Sequence, residues 1–100
     1  MIGTTDRLRN FLQYTALQLI NQPERAQLRV AEPEPGRLRF RLILSQPDVA
    51  LVIGRNGFTA SAIRSVMKAA ALRDGVEFTL QIHSHEEEAT RTMREEEQAL

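Results

Sequence analysis

Two observations place this chain in the α+β class. The spacing of its apolar residues switches from the three-to-four-residue period of a helix to the two-residue period of a strand and back, and two glycines three apart, Gly54 and Gly57, interrupt the second helical stretch. The resulting order is helix, strand, strand, helix, turn, helix, strand. With 100 residues, 42% of them apolar, there is material for one modest core. The expected architecture is a three-stranded sheet with one apolar face covered by three helices, formed by residues 1–83 and followed by an acidic tail over residues 84–100.

Residues 6–22 read as a helix, because Leu8, Phe11, Leu12, Thr15, Leu19 and Ile20 fall near one face. Thr4, Thr5 or Asp6 can cap its start. Pro23 stops it, since proline lacks an amide hydrogen and disfavours helical geometry in the residue before it. From Gln27 the period becomes two, Leu28 and Val30 alternating with Gln27 and Arg29. The segment Glu32-Pro33-Glu34-Pro35-Gly36 is expected to turn the chain as a five-residue link rather than a tight primed turn. A second alternation follows, with Leu38, Phe40, Leu42 and Leu44 against Arg37, Arg39 and Arg41, so the pair reads as a hairpin. That pairing sets Arg29 on the same face as the other three arginines. Such a stripe suits nucleic acid, and it also suits the ordinary need to keep the outer face of a sheet soluble.

Ser45 reads as a helix cap, with Asp48 three residues on, where a carboxylate favours the positive end of a helix. A short apolar helix over residues 49–53 ends at Gly54. A longer one runs over residues 58–73, with Ile63, Val66, Met67 and Ala70 at helical spacing, and Asp74-Gly75 closes it. Val76, Phe78, Leu80 and Ile82 then alternate with Glu77, Thr79, Gln81 and His83 in a third strand. In the tail, Ala89, Met93 and Leu100 make a thin apolar stripe and Glu87 with Arg91 a favourable i, i+4 pair, which leaves marginal helix and disorder both open.

The net charge of zero conceals an asymmetry. Residues 1–83 hold ten arginines and Lys68 against seven carboxylates and carry +4, whereas residues 84–100 hold two arginines against six glutamates and carry −4. A basic domain with an acidic tail suggests an anionic partner for the domain. The absence of cysteine removes disulfides and thiolate metal sites. The N-terminus lacks a signal-peptide pattern and no apolar run approaches membrane-spanning length, so a cytoplasmic protein without membrane contact is expected.

The chemistry concentrates at Val52-Ile53-Gly54-Arg55-Asn56-Gly57. Glycines allow dihedrals and close approaches that a Cβ forbids, and the amides around residues 57–60 open a helix, which suits a phosphate. A phosphate-binding P-loop needs a longer glycine loop ending in Gly-Lys-Ser or Gly-Lys-Thr, and a dinucleotide fingerprint needs a third glycine; neither is present. No cofactor is expected. His83 and His85 beside three glutamates are expected to be solvated rather than metal ligands, and Ser61 and Ser65 lack a histidine base, so an enzyme reading has little support.

Ile53-Gly54-Arg55-Asn56-Gly57 with Ile63 following resembles the KH motif, whose Gly-x-x-Gly loop clamps about four nucleotides. The element order matches the type II, bacterial form of that fold. More narrowly, the chain is similar to the small bacterial KH-domain proteins of the KhpA (YlqC) family over roughly residues 8–83. The match rests on Leu19-Ile20-Asn21-Gln22-Pro23-Glu24, on Asp48-Val49 before the glycine turn, and on Arg64-Ser65-Val66-Met67-Lys68-Ala69-Ala70-Ala71. The resemblance implies single-stranded RNA as partner, a homodimer or a second KH protein of the KhpB type, and a post-transcriptional or RNA-chaperone role in cell-envelope and cell-division control. Two departures stand out: Ala50 and Leu51 replace an expected glycine and lysine, and the acidic tail extends past the usual end.

On that basis RNA is expected along a groove floored by Ile53, Ala60, Ile63 and parts of the second strand. Its phosphates would meet Gly54, Arg55, Asn56 and the amides of Gly57, Phe58 and Thr59. Phe58 is the nearby aromatic for stacking, and Arg64 and Lys68 can extend the basic track, although both also suit plain solvated helix positions. The alternative is a KH fold used mainly for self- or hetero-association, which exposed Leu51 or Phe58 would favour.

Overall fold

The computed structural model describes residues 3–98. They form α1 (Thr4–Leu19), a one-turn 3-10 helix (Pro23–Arg25), β1 (Gln27–Glu34), β2 (Arg37–Leu44), α2 (Gln46–Ile53), a second 3-10 turn (Arg55–Gly57), α3 (Phe58–Arg73), β3 (Glu77–Ser84) and α4 (His85–Gln98). The α+β order expected from the periodicities holds through β3, in the arrangement of a type II KH fold. In the sheet, β2 is central, pairing antiparallel with β1 and parallel with β3. Antiparallel neighbours need only a short link, whereas the parallel β3 requires a crossover, which α2 and α3 supply.

The hairpin link is shorter than the five residues expected. β1 continues through Pro33 and Glu34, so only Pro35 and Gly36 turn the chain. Proline followed by Gly36 at φ 80° is the type II arrangement. Pro33 is tolerated because β1 is an edge strand and because residues 32 and 33 together oppose Leu38, a bulge between the Ala31–Arg39 and Glu34–Arg37 pairs.

Alternation along β2 sends Leu38, Phe40, Leu42 and Leu44 into the core, each at most 4% exposed. Leu8, Leu12 and Ala16 of α1, Ile20 just past its end, Val52 of α2, Ile63 and Met67 of α3, and Leu80 of β3 close over them. Phe40 is fully buried, which stabilises the fold by about 3 kcal/mol, and it meets Phe78 edge to face with ring centroids 6.4 Å apart. At the end of α3, Gly75 at φ 70° lets its amide donate to the Leu72 carbonyl at 3.2 Å and the Val76 amide to that of Ala71 at 3.0 Å, a Schellman closure.

α1 stops at Leu19, three residues before the expected end, and the cause lies elsewhere in the chain. The fully buried Asp48 carboxylate accepts the Asn21 and Gln22 amides, each at 2.9 Å, which draws those residues out of helical geometry. Asp48 lies in the first turn of its own helix, as expected, and its carboxylate in addition ties α2 to the corner after α1. Ser45 does occupy the cap position, but without a side-chain capping bond. Burial pushes the Asp48 carboxyl up, yet the two amides, with a smaller contribution from Ser45, outweigh it and leave the pKa lowered.

The tail is neither a loose appendage nor packed through its apolar stripe. α4 lies on the outer face of the sheet against β2 and β3, opened by a reciprocal capping box. The Glu87 amide donates to Ser84 Oγ at 3.1 Å, and the Ser84 amide donates to Glu87 Oε1 at 3.2 Å. Ala89 and Met93 face solvent, and Leu100 lies outside the described residues. Among the described side chains of α4 the buried one is Glu88, 8% exposed, above a face where Ile43 is 1% exposed.

Asp48→Ala leaves two backbone donors without their carboxylate and is expected to lower the unfolding free energy by about 3 kcal/mol, read from the urea midpoint. Because the folded pKa lies below the ordinary 3.8, the contribution of Asp48 is complete above that pH and is lost as pH falls through the folded value. Asp48→Asn should therefore flatten the acid limb of stability against pH, and an unaltered limb would place the acid sensitivity elsewhere.

Candidate nucleic-acid interface

The turn between α2 and α3 is fixed by glycine geometry. The Gly54 amide still closes α2 by donating to the Ala50 carbonyl at 2.9 Å, after which Gly54 adopts φ 78°, ψ 176°, a region open essentially to glycine alone. A Cβ there would also stand 2.2 Å from Thr59 Oγ1, 2.6 Å from Thr59 Cβ and 3.0 Å from the Thr59 amide nitrogen. Asn56 and Gly57 follow in left-handed geometry at φ 56° and 77°, which asparagine tolerates better than most residues. At Gly57 an added Cβ meets nothing within 4 Å. The two glycines thus have different roles: Gly54 admits Thr59 against the backbone, whereas Gly57 starts α3.

Arg55 and Asn56 project from this turn as exposed side chains, and Phe58 is 69% exposed beside them. The amides expected to meet phosphate are partly engaged within the turn. That of Gly57 donates to the Gly54 carbonyl at 3.1 Å, and that of Phe58 to the Arg55 carbonyl. Arg55 and Asn56 are therefore the polar groups the turn offers outward.

An open groove of about 840 Å³ runs from Gly57 between α3 and β3, lined by Ser61, Arg64, Ser65 and Lys68 on one side and residues 76–80 on the other. Its strand wall is β3, not the second strand expected, because β2 has a neighbour on both edges and only β3 turns an edge toward α3. Arg64 is anchored, its Nη2 donating to the Leu80 carbonyl at 3.0 Å across the groove. The structure thus brings Gly57, Arg64 and Lys68 to one groove. Ala60 and Ile63, expected on its floor, are 2% and 4% exposed and belong to the core; Gly54, Ile53 and Thr59 are half-buried at the turn.

A second polar constellation lies on the outer sheet face. Arg29 and Arg41, paired across β1 and β2, both approach Glu88 Oε1 at 3.4 Å through Nη1, and His83 Nε2 of β3 contacts Glu88 Oε2. Burial pushes the Glu88 carboxyl up, but His83, Arg41 and Arg29 outweigh it and leave the pKa below its ordinary value. His83 is 7% exposed rather than solvated, and His85 Nε2 lies 2.5 Å from the Arg25 carbonyl oxygen. Among the described residues no group of three His, Cys, Asp or Glu side chains is placed to hold a metal, and no helix is long and apolar enough to cross a membrane. The capping pattern Ser84-His85-Glu86-Glu87 was the sequence signal for α4; its docking partner Glu88 had none.

A family model of the KhpA/KhpB KH domain matches residues 9–82, which leaves α4 outside the match. The chain is similar to the RNA-binding protein KhpA of Chlamydia trachomatis serovar D, 29% identical over 75 residues that make up 75% of this chain and 95% of that protein. It is likewise similar to the RNA-binding protein KhpA of Streptococcus pneumoniae serotype 4, 39% identical over 62% of this chain and 77% of the relative. The RNA-binding protein KhpA of Halalkalibacterium halodurans is 34% identical over 66% of this chain and 86% of its own length.

Gly54→Ala is expected to destabilise the fold by about 3 kcal/mol, since both its dihedrals and the Thr59 backbone oppose a Cβ. Gly57→Asn, in open space at a left-handed position, should cost less than about 1 kcal/mol. Urea unfolding of the two variants checks the ordering; equal losses would contradict the separate roles.

Proposed function

This chain belongs to the KhpA/KhpB KH-domain family, and we propose that it binds single-stranded RNA, the backbone held at the Gly54/Gly57 turn and the bases laid in the groove between α3 and β3. The observation that carries this reading is the outward pair Arg55 and Asn56 on a rigid turn whose Gly57 lines the groove that also holds Arg64 and Lys68. Arg55 supplies charge and donors for phosphate, Asn56 a further donor, and Phe58 a stacking surface. With so few cationic contacts, affinity should lie in the roughly micromolar range and fall as salt rises, with little sequence preference. A post-transcriptional role, carried out alone or with a second KH protein of the KhpB type, fits such a weak, general clamp.

A second reading, in which the domain also self-associates, is favoured by one observation: Phe58 is 69%, Val66 53% and Leu72 69% exposed along α3, and Leu51 of α2 42%. Light scattering after size exclusion, with and without RNA, separates the readings, because a dimer formed over Phe58 would compete with RNA at the turn.

Arg55→Asp combined with Asn56→Asp is expected to abolish RNA binding in a filter assay while leaving thermal unfolding within about 0.5 kcal/mol of the parent, since both side chains are exposed and aspartate tolerates the left-handed position. Unchanged affinity in the folded double variant would sink the clamp.

A further inference from the structure

Two guanidiniums and an imidazole, contributed by three adjacent strands, converge on one carboxylate: Arg29 of β1, Arg41 of β2 and His83 of β3 all meet Glu88 of α4. Glu88 is 8% exposed, and the segment that delivers it lies beyond the part of the chain matched by the family. Such a donor set, with forked guanidiniums on one oxygen and a ring nitrogen on the other, suits a phosphate as well as a carboxylate. Arg29 keeps 59% of its side chain exposed at the border of α4, and Arg39 extends the same row along β2. The charge asymmetry of the sequence agrees in part: Glu88 of the acidic segment meets Arg29 and Arg41 of the basic part on the face of the sheet opposite the core.

We propose that the outer face of the sheet is a second phosphate-binding surface, that its ligand is the backbone of a single-stranded nucleic acid too long for the groove alone, and that α4 keeps it closed by placing Glu88 where a phosphate would sit. This rests on the proposed groove binding, which brings the remainder of a long strand to the surface at high local concentration. A short strand fills only the groove and leaves α4 in place. A long strand competes with Glu88 for Arg29 and Arg41 and displaces the first turn of α4, whose other contacts include the Ser84/Glu87 capping box, the His85–Arg25 contact and the bond from Arg91 Nη1 to Gln81 Oε1 at 2.7 Å.

The test compares the full chain with Glu88→Gln and with Glu88→Gln plus Arg29→Ala, using uridylate strands of about six and about thirty nucleotides and fluorescence anisotropy across a salt series. Glu88→Gln should bind the long strand at least about fivefold more tightly at low salt. Its slope of log affinity against log salt should steepen by about 0.7 for each added phosphate contact. The short strand should bind both proteins alike, and adding Arg29→Ala should reverse the gain. Equal binding of the long strand by parent and a folded Glu88→Gln variant would overturn the proposal, as would a gain that survives Arg29→Ala. If Glu88→Gln fails to fold, hydrogen exchange on the parent decides: the long strand, and not the short one, should accelerate exchange over residues 86–94, and unaltered exchange there overturns it. If the parent binds neither strand, the groove reading fails, whereas a long-strand gain in Glu88→Gln alone still upholds the outer face.

Discussion

The junction between α1 and α2 is held by one carboxylate. Asp48 is fully buried in the first turn of α2, and its two oxygens hold the Asn21 and Gln22 amides just past the end of α1. A buried carboxylate without such partners would be strongly destabilising; with two amides directed at it, the ionised form is favoured over the neutral one despite burial. The bond therefore ends α1, sets its position relative to α2 and holds the helix whose last residues lead into the Gly54/Gly57 turn. The same helix that this contact anchors carries Val52 into the core and leads into the turn.

From that fixed helix the turn inherits its shape. Gly54 must leave α2 in a conformation closed to other residues because Thr59 occupies the space a Cβ would need. The chain then passes through Asn56 and Gly57 in left-handed geometry and re-enters a helix at Phe58. This tight reversal is why Arg55 and Asn56 point outward and why the groove starts where the turn ends. The groove borders β3 rather than β2 for a topological reason: a parallel strand added beside β2 covers the edge of β2 and presents its own.

The opposite face of the sheet is organised by the counterpart of Asp48. Glu88 is also a carboxylate removed from solvent, but its partners are charged side chains from three strands rather than backbone amides. Removal of one partner from such a cluster leaves the remaining charge poorly solvated, so the contact is specific even where its net contribution to stability is small. The arginine stripe, which serves equally well as solubilising charge or as a nucleic-acid surface when read alone, is in the folded protein partly answered by the chain's own acidic helix.

Periodicity and the two glycines determined the element order through β3, the inward set Leu38, Phe40, Leu42 and Leu44, the placement of Arg29 with Arg41, and the turn between α2 and α3. These are local properties: a two-residue or three-to-four-residue repeat and a glycine dihedral are written in adjacent residues. The tertiary structure decided what depends on partners far apart in the chain. Asp48 ends a helix more than twenty residues upstream, the Pro33 bulge exists because β1 is an edge, Ala60 and Ile63 pass from expected groove floor to core, and Glu88 rather than the apolar stripe of Ala89 and Met93 docks α4. A side chain's role in each of those cases is fixed by which strand or helix lies opposite it, and sequence spacing carries no record of that.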